Sequence, residues 1–363
     1  MSHDKTANPA AVLDGTVRRI TLADVAKRAN VSLATASKVV NGRSGVGEET
    51  RTRVVEAATS IGYVGLAERQ RAVQIAGEGT IEMLIEPADV SNPYLAAFMG
   101  GAIEVASSYG IGLVVRSIES ITPESPAAWA TTLARSGRMG VIEVTSAYSA
   151  ARERALRGVG LEMVLVDPID VPRTSTPSIG ATNWAGAYEA TRHLLSLGHK
   201  RIAYLGGPPR AGCDVVRAHG WAAAMAEAGI RVDIDAVPRH SYTFEHGLEA
   251  ATTLLTGRTP PTAIFAGSDS TAMGVLEAAR RLGIGVPEEL SVVGFDDTIL
   301  ARSATPPLTT VHQPIADIGR TAVSTIIRLA GGETLATKRV EMATHLVVRS
   351  STAHVASSNG RTS

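Results

Sequence analysis

The sequence predicts an N-terminal three-helix domain of helix-turn-helix type, followed by a two-lobed, doubly wound α/β domain. Three observations carry that expectation. Residues 20–63 place apolar side chains at helical spacing between cap and stop signals. From residue 80 onward, short apolar runs alternate with helical stretches, the pattern of parallel sheet covered by helices. A polar, proline-bearing break at 173–180, "RTSTPSIG", then divides about seven such units into two sets, more than one doubly wound sheet usually takes.

The elements of the small domain follow from local chemistry. Thr21 and Asp24 form a variant capping box that opens a helix running through Arg28, with Leu22, Val25 and Ala26 as its buried stripe. Asn30 and Val31 make a tight turn. Ser32 caps a second helix that stops at Asn41-Gly42. A third helix runs from about residue 48 to 61, with acidic Glu48 and Glu49 in its first turn and Val54, Ala58 and Ile61 as its stripe.

The second helix divides its labour. Ala36, Val39 and Val40 face the core, which leaves Leu33, Ala34, Ser37 and Lys38 pointing outward. Small side chains permit close approach to a DNA major groove. Ser and Thr hydroxyls reach phosphates or base edges, lysine donates to guanine, and Leu or Ala touches thymine methyls. A solvated helix face is the plainer alternative. Charge favours the first reading: residues 1–76 hold 11 Lys and Arg against 7 Asp and Glu, and the remainder 24 against 28.

In the large domain, strands are expected at 81–85, 111–115, 140–144, 162–166, 201–205, 262–266 and 291–295, with helices such as 184–197 and 271–282 between them. Ligands of open α/β sheets bind beyond the carboxyl ends of strands. Polar residues fall there, Asn92, Ser117, Ser146, Asp167, Asn183, Ser268, Asp269, Asp296 and Asp297 among them. Carboxylates accept from paired hydroxyls, arginine donates to oxygens, and aromatic faces stack on sugar rings, so a neutral, hydroxyl-rich ligand fits. Each such residue could equally cap a helix, Asp269 in particular.

Several classes are disfavoured. Phosphate-loop, dinucleotide-loop, zinc-protease, C-x-x-C and G-x-S-x-G signatures are absent from the sequence, so neither an enzyme nor a cofactor is expected. A lone Cys213 cannot close an intrachain disulfide and fits a reducing compartment. No apolar run approaches the ~20 residues needed to span a bilayer. Residues 1–19 lack an apolar signal core and read as a disordered leader, hence a cytoplasmic protein without a membrane partner.

The whole arrangement resembles the LacI/GalR (lactose-repressor) family of bacterial transcription regulators, from about residue 20 to 352. The motifs are "TLADVAKRANVSLATASKVVNG" for the DNA-reading unit, and "SNPY", "ATRHLLSLGHKRIAYLGGPP", "VPEELSVVGFDD", "PPLTTVHQP" and "LVVRSST" for the effector domain. The resemblance implies a helix-turn-helix domain at 20–63, a hinge at 64–78, an effector and dimerisation domain at 79–352 and a flexible tail at 353–363. Lobe 1 spans about 79–179 with 312–335, and lobe 2 about 180–311 with 336–352. The chain is then expected to cross between lobes near Gly180, Val311 and Leu335.

By resemblance, Leu33, Ala34 and Lys38 read bases, while Ser32, Thr35 and Ser37 hold backbone or base edges. Thr21 and Asn41, with Arg69, Arg71 and Ala72 of the hinge, complete the candidate DNA-contacting set. Arg217 and Asp296 fall on effector positions, Ser268 stands where an Asn is usual, and Tyr242 where an aromatic stacks. Asn92, Tyr94, Ser146, Asn183 and Asp269 complete the candidate ligand set. The implied partners are a pseudo-palindromic double-stranded DNA operator, a small effector of sugar type, and a second copy of the chain; the tail has no leucine heptads for a coiled-coil tetramer.

The hinge departs from the family pattern. "YVGLAERQRAV" has Gly65 and Leu66 for Pro and Asn, and Ala72 where a leucine wedge is usual. A sugar-binding protein without DNA function is the competing reading.

Overall fold

The computed structural model describes residues 21–40, 44–60, 63, 79–121, 125–170 and 176–355. The chain divides into two compact units. One comprises residues 1–77, 122–138 and 149–162, the other residues 78–121, 139–148 and 163–363.

The head consists of α1 (Leu22–Ala29), α2 (Leu33–Val40) and α3 (Glu48–Ser60). Thr21 opens α1, and the Asp24 carboxylate accepts its N–H at 2.8 Å and its hydroxyl at 2.7 Å. Asn30 ends the helix in the left-handed region (φ 53°), which a short polar side chain tolerates. The core is built of small side chains, Val25, Ala26, Ala29, Ala36, Val39, Val54 and Ala57, so the three helices approach closely. On α3, Ala57 is buried and Ala58 only partly so, a shift of one position from the expected stripe.

The larger part begins with β1 (Thr80–Ile85), α4 (Pro93–Ser108) and β2 (Gly112–Ser117). There follow α5 (Pro126–Arg135), β3 (Arg138–Val144), α6 (Ala150–Gly158), β4 (Glu162–Val166) and β5 (Ser178–Ala181). Next come α7 (Asn183–Ser196), β6 (Ile202–Leu205), α8 (Gly212–Glu227), α9 (Phe244–Leu255), β7 (Ala263–Ala266) and α10 (Asp269–Leu282). The chain closes with β8 (Ser291–Asp296), α11 (Ile299–Ser303), β9 (Thr309–His312), α12 (Ile315–Ala330), β10 (Arg339–Met342) and β11 (His345–Val347).

Two sheets result. The first has the order β10-β5-β4-β3-β1-β2, the second β11-β9-β8-β7-β6. β1 pairs in parallel with β2, β4 with β5, β5 with β10, and β6 through β9 in turn; β11 runs antiparallel to β9. β7 and β8 are buried along their whole length, which is why they read as unbroken apolar runs.

α12 follows β9 of the second sheet in sequence but packs in the first lobe against α4. Ile318, Val323 and Ile326 join Phe98, Ile81 and Ile142 in one core. Glycine makes that contact possible: a Cβ at Gly101 would lie 1.8 Å from the Ala316 carbonyl, and one at Gly319 would lie 2.2 Å from that of Phe98.

The chain passes between lobes at 182, at 313–314 and at 343–344. The third passage corrects the expectation of one near Leu335, because residues 339–342 pair with β5 in the first sheet, Val340 opposite Ile179. The stretch 173–180 is likewise more than a break, since Ser178–Ala181 form β5. Four residues including a glycine carry no strand period of their own; neighbours on both sides define this strand.

Candidate functional site

Two sites can be built from the residues upward. On the head, Ser32 sets the start of α2. Its hydroxyl accepts the Thr35 N–H at 3.1 Å and shares a 2.8 Å hydrogen bond with the Thr35 hydroxyl. The helix then buries Ala36 and Val39 and turns Leu33, Ala34 and Lys38 to solvent, with Leu33 54% exposed. Ser37 is half-buried rather than fully outward. A shallow groove gathers Ser32, Ala34, Thr35 and Lys38 of α2 with Thr50 and Arg53 of α3. Arg53, exposed and cationic, was not singled out from sequence, since only tertiary packing brings α3 alongside α2. Of the other candidates, Thr21 serves as the α1 cap, while Asn41, Arg69, Arg71 and Ala72 lie outside the described residues.

The second site is a cleft of about 750 Å³. Thr145 and Asp167 follow β3 and β4 of the first sheet, and Ser268 and Asp296 stand at the ends of β7 and β8 of the second. Leu95, Ile169, Phe244, Met273 and Leu300 give it apolar walls. Asn92 accepts the Tyr94 N–H at 3.0 Å and so fixes the start of α4. The Tyr94 hydroxyl donates to Asp167 at 2.5 Å. Burial, reinforced by the Asp167 charge, holds that phenol well above its ordinary value, and burial also raises Asp167 itself.

From α8, Arg217 donates through Nε to the Asn183 side chain at 2.8 Å and through Nη1 to the Gly267 carbonyl at 2.5 Å. Its guanidinium lies 3.7 Å from the centre of the Phe295 ring and 5.4 Å from that of Tyr242. The Tyr242 hydroxyl donates to Asp214 at 3.1 Å. Gly207 lies against that ring, where a Cβ would come within 2.4 Å. Asp296 accepts from the Gln313 amide at 2.7 Å, and burial pushes its carboxyl up to about 7. Ser268 caps α10 by accepting the Thr271 N–H at 3.1 Å, with its side chain at the cleft wall.

Six of the nine candidate ligand residues thus line one cavity: Asn92, Tyr94, Arg217, Tyr242, Ser268 and Asp296. The other three do not. Ser146 is buried with its hydroxyl 3.4 Å from Glu143. Asn183 holds Arg217 from behind and borders a separate cavity of about 320 Å³. Asp269 accepts from the Thr298 N–H at 2.7 Å, the Thr298 hydroxyl at 2.9 Å and the Thr310 hydroxyl at 2.6 Å. It ties α10 to β9 and to the turn before α11, and its carboxyl is pushed up to about 8 by burial and by Asp296. Asp297 is taken up by Arg349 at 2.6 Å and His312 at 3.0 Å.

The cleft also includes residues that sequence reasoning passed over. Asp89 accepts from the Thr145 hydroxyl at 2.5 Å, and Cys213 lies one helical turn before Arg217. That i, i+4 spacing on α8 was a usable signal for Cys213; nothing local marked Asp89. Among the described residues no group of His, Cys, Asp and Glu could hold a metal ion, and no helix is long and apolar enough to cross a membrane.

A helix-turn-helix head and a body of two mainly parallel sheets, with an apolar-walled cleft holding a few polar groups, define a class, the regulators built on a periplasmic-binding-type body. The comparisons identify the family. Residues 21–65 match the model for bacterial regulatory proteins of the LacI family, and residues 191–352 that for a periplasmic binding protein-like domain. The chain is 34% identical to the HTH-type transcriptional regulator DegA of Bacillus subtilis (strain 168) over 336 residues, 92% of this chain and 98% of that protein. It is 30% identical to catabolite control protein A of Priestia megaterium, over 92% of this chain and 99% of that one. Among solved structures it resembles a CelR–cellobiose complex (TM-score 0.68, 29% identity, 92% of this chain and 100% of that one). It also resembles the lac repressor dimer bound to operator and an anti-inducer (TM-score 0.66, 26% identity, 93% and 100%). The chain belongs to the LacI family.

Proposed function

We propose that the protein is a sequence-specific, ligand-responsive transcriptional regulator of repressor type, acting in the cytoplasm by binding rather than by catalysis. Lys38, Leu33 and Ala34 read base edges from α2, with Ser32, Thr35 and Arg53 on the phosphates. Two copies occupy the half-sites of a pseudo-palindrome, since one small head covers too few base pairs for specificity. The similar structures include a cellobiose complex and an operator-bound dimer, which agrees with this reading.

The observation that carries it is the cleft. Arg217 and Asp296 of the second lobe and Tyr94 and Asp167 of the first line one cavity, so a ligand held by all four joins the lobes. Arginine and carboxylates present donors and acceptors to hydroxyls, and Tyr242 and Phe244 offer faces to a ring, as a sugar-type ligand requires.

The test is a gel-shift titration with an operator selected from random DNA by the full chain, repeated across a panel of sugars. The expected outcome is salt-sensitive specific binding that one class of sugar shifts. Equal affinity for selected and random DNA would sink the reading.

A further inference from the structure

Behind the cleft wall lies a second cluster of buried polar groups, centred on Asp214 in the first turn of α8. Asp214 has no exposed surface. Its Oδ1 accepts from the Tyr204 hydroxyl at 2.7 Å, the Gly207 N–H at 2.8 Å and the Tyr242 hydroxyl at 3.1 Å. Its Oδ2 faces Arg239, whose Nε stands 3.2 Å away as an ion pair on a largely buried side chain. Oδ2 and the Arg239 Nε and Nη2 are buried and make no hydrogen bond among the described residues, so charge rather than hydrogen-bond geometry holds the pair.

Arg239 and Tyr242 belong to the loop between α8 and α9, which is stitched to the end of β6. The Gly206 N–H donates to the Pro238 carbonyl at 2.9 Å, and Gly206 bridges to Arg239. Bare backbone makes room for the cluster. A Cβ at Gly206 would lie 2.8 Å from the Arg239 Cγ and 2.9 Å from each Asp214 oxygen. One at Gly207 would lie 2.4 Å from the Tyr242 ring, and one at Gly267 would lie 2.8 Å from it. The ring therefore rests against two stretches of backbone with its hydroxyl tied to Asp214. From Ser241 to Glu245 the chain then supplies five consecutive residues of the cleft lining, which includes neither Arg239 nor Asp214.

We propose that Asp214 and Arg239 are positioning residues for ligand binding: they latch this loop to α8 and set the face that Tyr242 presents to the ligand, without touching it. This rests on the cleft being the ligand site proposed above and adds the groups that shape one of its walls. An aromatic face contributes fully to ring binding only when it is held in place beforehand, since a free side chain loses affinity to its own ordering. A carboxylate is the stronger kind of acceptor for the hydroxyl that does the holding. Arg217 follows Asp214 by three residues, so one turn of α8 fixes both the aromatic wall and the cation of the site.

The experiment is calorimetry on the full chain with a panel of neutral sugars led by cellobiose, glucose, galactose and ribose, beside gel shift on the selected operator without sugar. Asp214→Asn and Tyr242→Phe should each weaken the tightest of these sugars at least about fivefold, as for one lost hydrogen bond. Operator binding without sugar should stay unchanged, which general damage to the fold would not allow. The double variant should bind no more weakly than the worse single one, because both changes break one link. Losses that multiplied would overturn the proposal, as would an Asp214→Asn variant that bound like the parent. Arg239→Met breaks the latch from its partly exposed side and should weaken the same sugar; paired with Tyr242→Phe it gives the same cycle if circular dichroism shows Asp214→Asn to be unfolded. A reading without ligand separates the latch from the cleft. In fluorine NMR spectra of the chain labelled with fluorotyrosine, the Tyr242 resonance, identified by its loss in Tyr242→Phe, should shift in Asp214→Asn and in Arg239→Met. A resonance that stayed in place in both would overturn the proposal. Failure of every sugar in the panel to bind the parent would overturn the sugar-site reading and leave the latch to be decided by the spectra.

Discussion

The head and the cleft solve opposite problems with the same residue types. On the head, Ser32, Thr35 and Lys38 sit on a helix over a core of valines and alanines, and their polar ends look outward. In the cleft the polar groups are buried and bonded to one another: Arg217 to Asn183, Asp296 to Gln313, Tyr94 to Asp167. A contact face for a charged polymer stays hydrated until its partner arrives. A closed site for a small ligand carries the desolvation of its polar groups in advance and holds them in position with other polar groups. Substitutions in the cleft should therefore disturb neighbouring groups, whereas those on the head should act singly.

The largest effect is expected at Arg217. Arg217→Ala removes two buried hydrogen bonds and the cation nearest Asp167 and Asp296, raising both carboxyls further. Ligand affinity should fall by about 100-fold or more, since each charge-assisted bond contributes ~1.5–3 kcal/mol. Operator binding without ligand should stay within a few-fold. Calorimetry reads the first quantity and gel shift the second. Unchanged ligand affinity would remove Arg217 from the site and blur the contrast between the two regions.

Lys38→Ala tests the head in the same terms. As a lone outward side chain it should cost ~1–3 kcal/mol on the true operator and much less on random DNA, with no change in thermal stability. Equal losses on both DNAs would mean that Lys38 touches only phosphate.

The same contrast explains what could be seen in the sequence. The three head helices were legible nearly to the residue, because caps and a 3.6-residue period are local: Thr21, Asp24, Ser32 and Asn30 each act on backbone within a few positions. β1 and β4 were legible because buried parallel strands are continuous apolar runs. β5 and β10 were not. They are four-residue strands, and β10 alternates exposed and half-buried residues, so only pairing with neighbours specifies them, β5 between β4 and β10 and β10 against β5. In the site, strand-end logic picked out Asp296 and the family pattern Arg217, and both line the cleft. It failed at Ser146, Asn183 and Asp269 for a reason internal to that logic. A polar residue at a strand end can serve either the ligand or the neighbouring elements, and sequence does not show which way it turns. Asp269 turns to Thr298 and Thr310, Asn183 to Arg217.

A smaller effect should appear in the pH dependence of stability. Asp296 and Asp269 are pushed up to about 7 and about 8 by burial, well above their values in the unfolded chain. The folded state therefore binds more protons than the unfolded one between about pH 4 and pH 8, and stability falls as pH rises through that window. Asp296→Asn cannot ionise. Relative to the parent it should gain stability between pH 5 and pH 8, on the order of 1 kcal/mol. Thermal melts across that range measure it. A constant difference at all pH values would mean that Asp296 is not held in a costly ionised form, and that the cleft is less pre-loaded than the comparison with the head requires.

The smallest effect comes from Ser32, where the two regions' rules meet in one side chain. Its hydroxyl caps α2 through the Thr35 N–H and also faces the groove shared with Lys38 and Arg53. Ser32→Ala should cost about 1 kcal/mol of head stability through loss of the cap, and a further part of operator affinity if the hydroxyl meets a phosphate. Ser32→Asp separates the two roles. Aspartate caps as well as serine, so the head should melt as the parent does, but its charge repels a phosphate and operator binding should fall more than for alanine. If both variants lost stability and DNA affinity in the same ratio, Ser32 would act on DNA only by holding α2 together. The outward face of the head would then begin at Leu33.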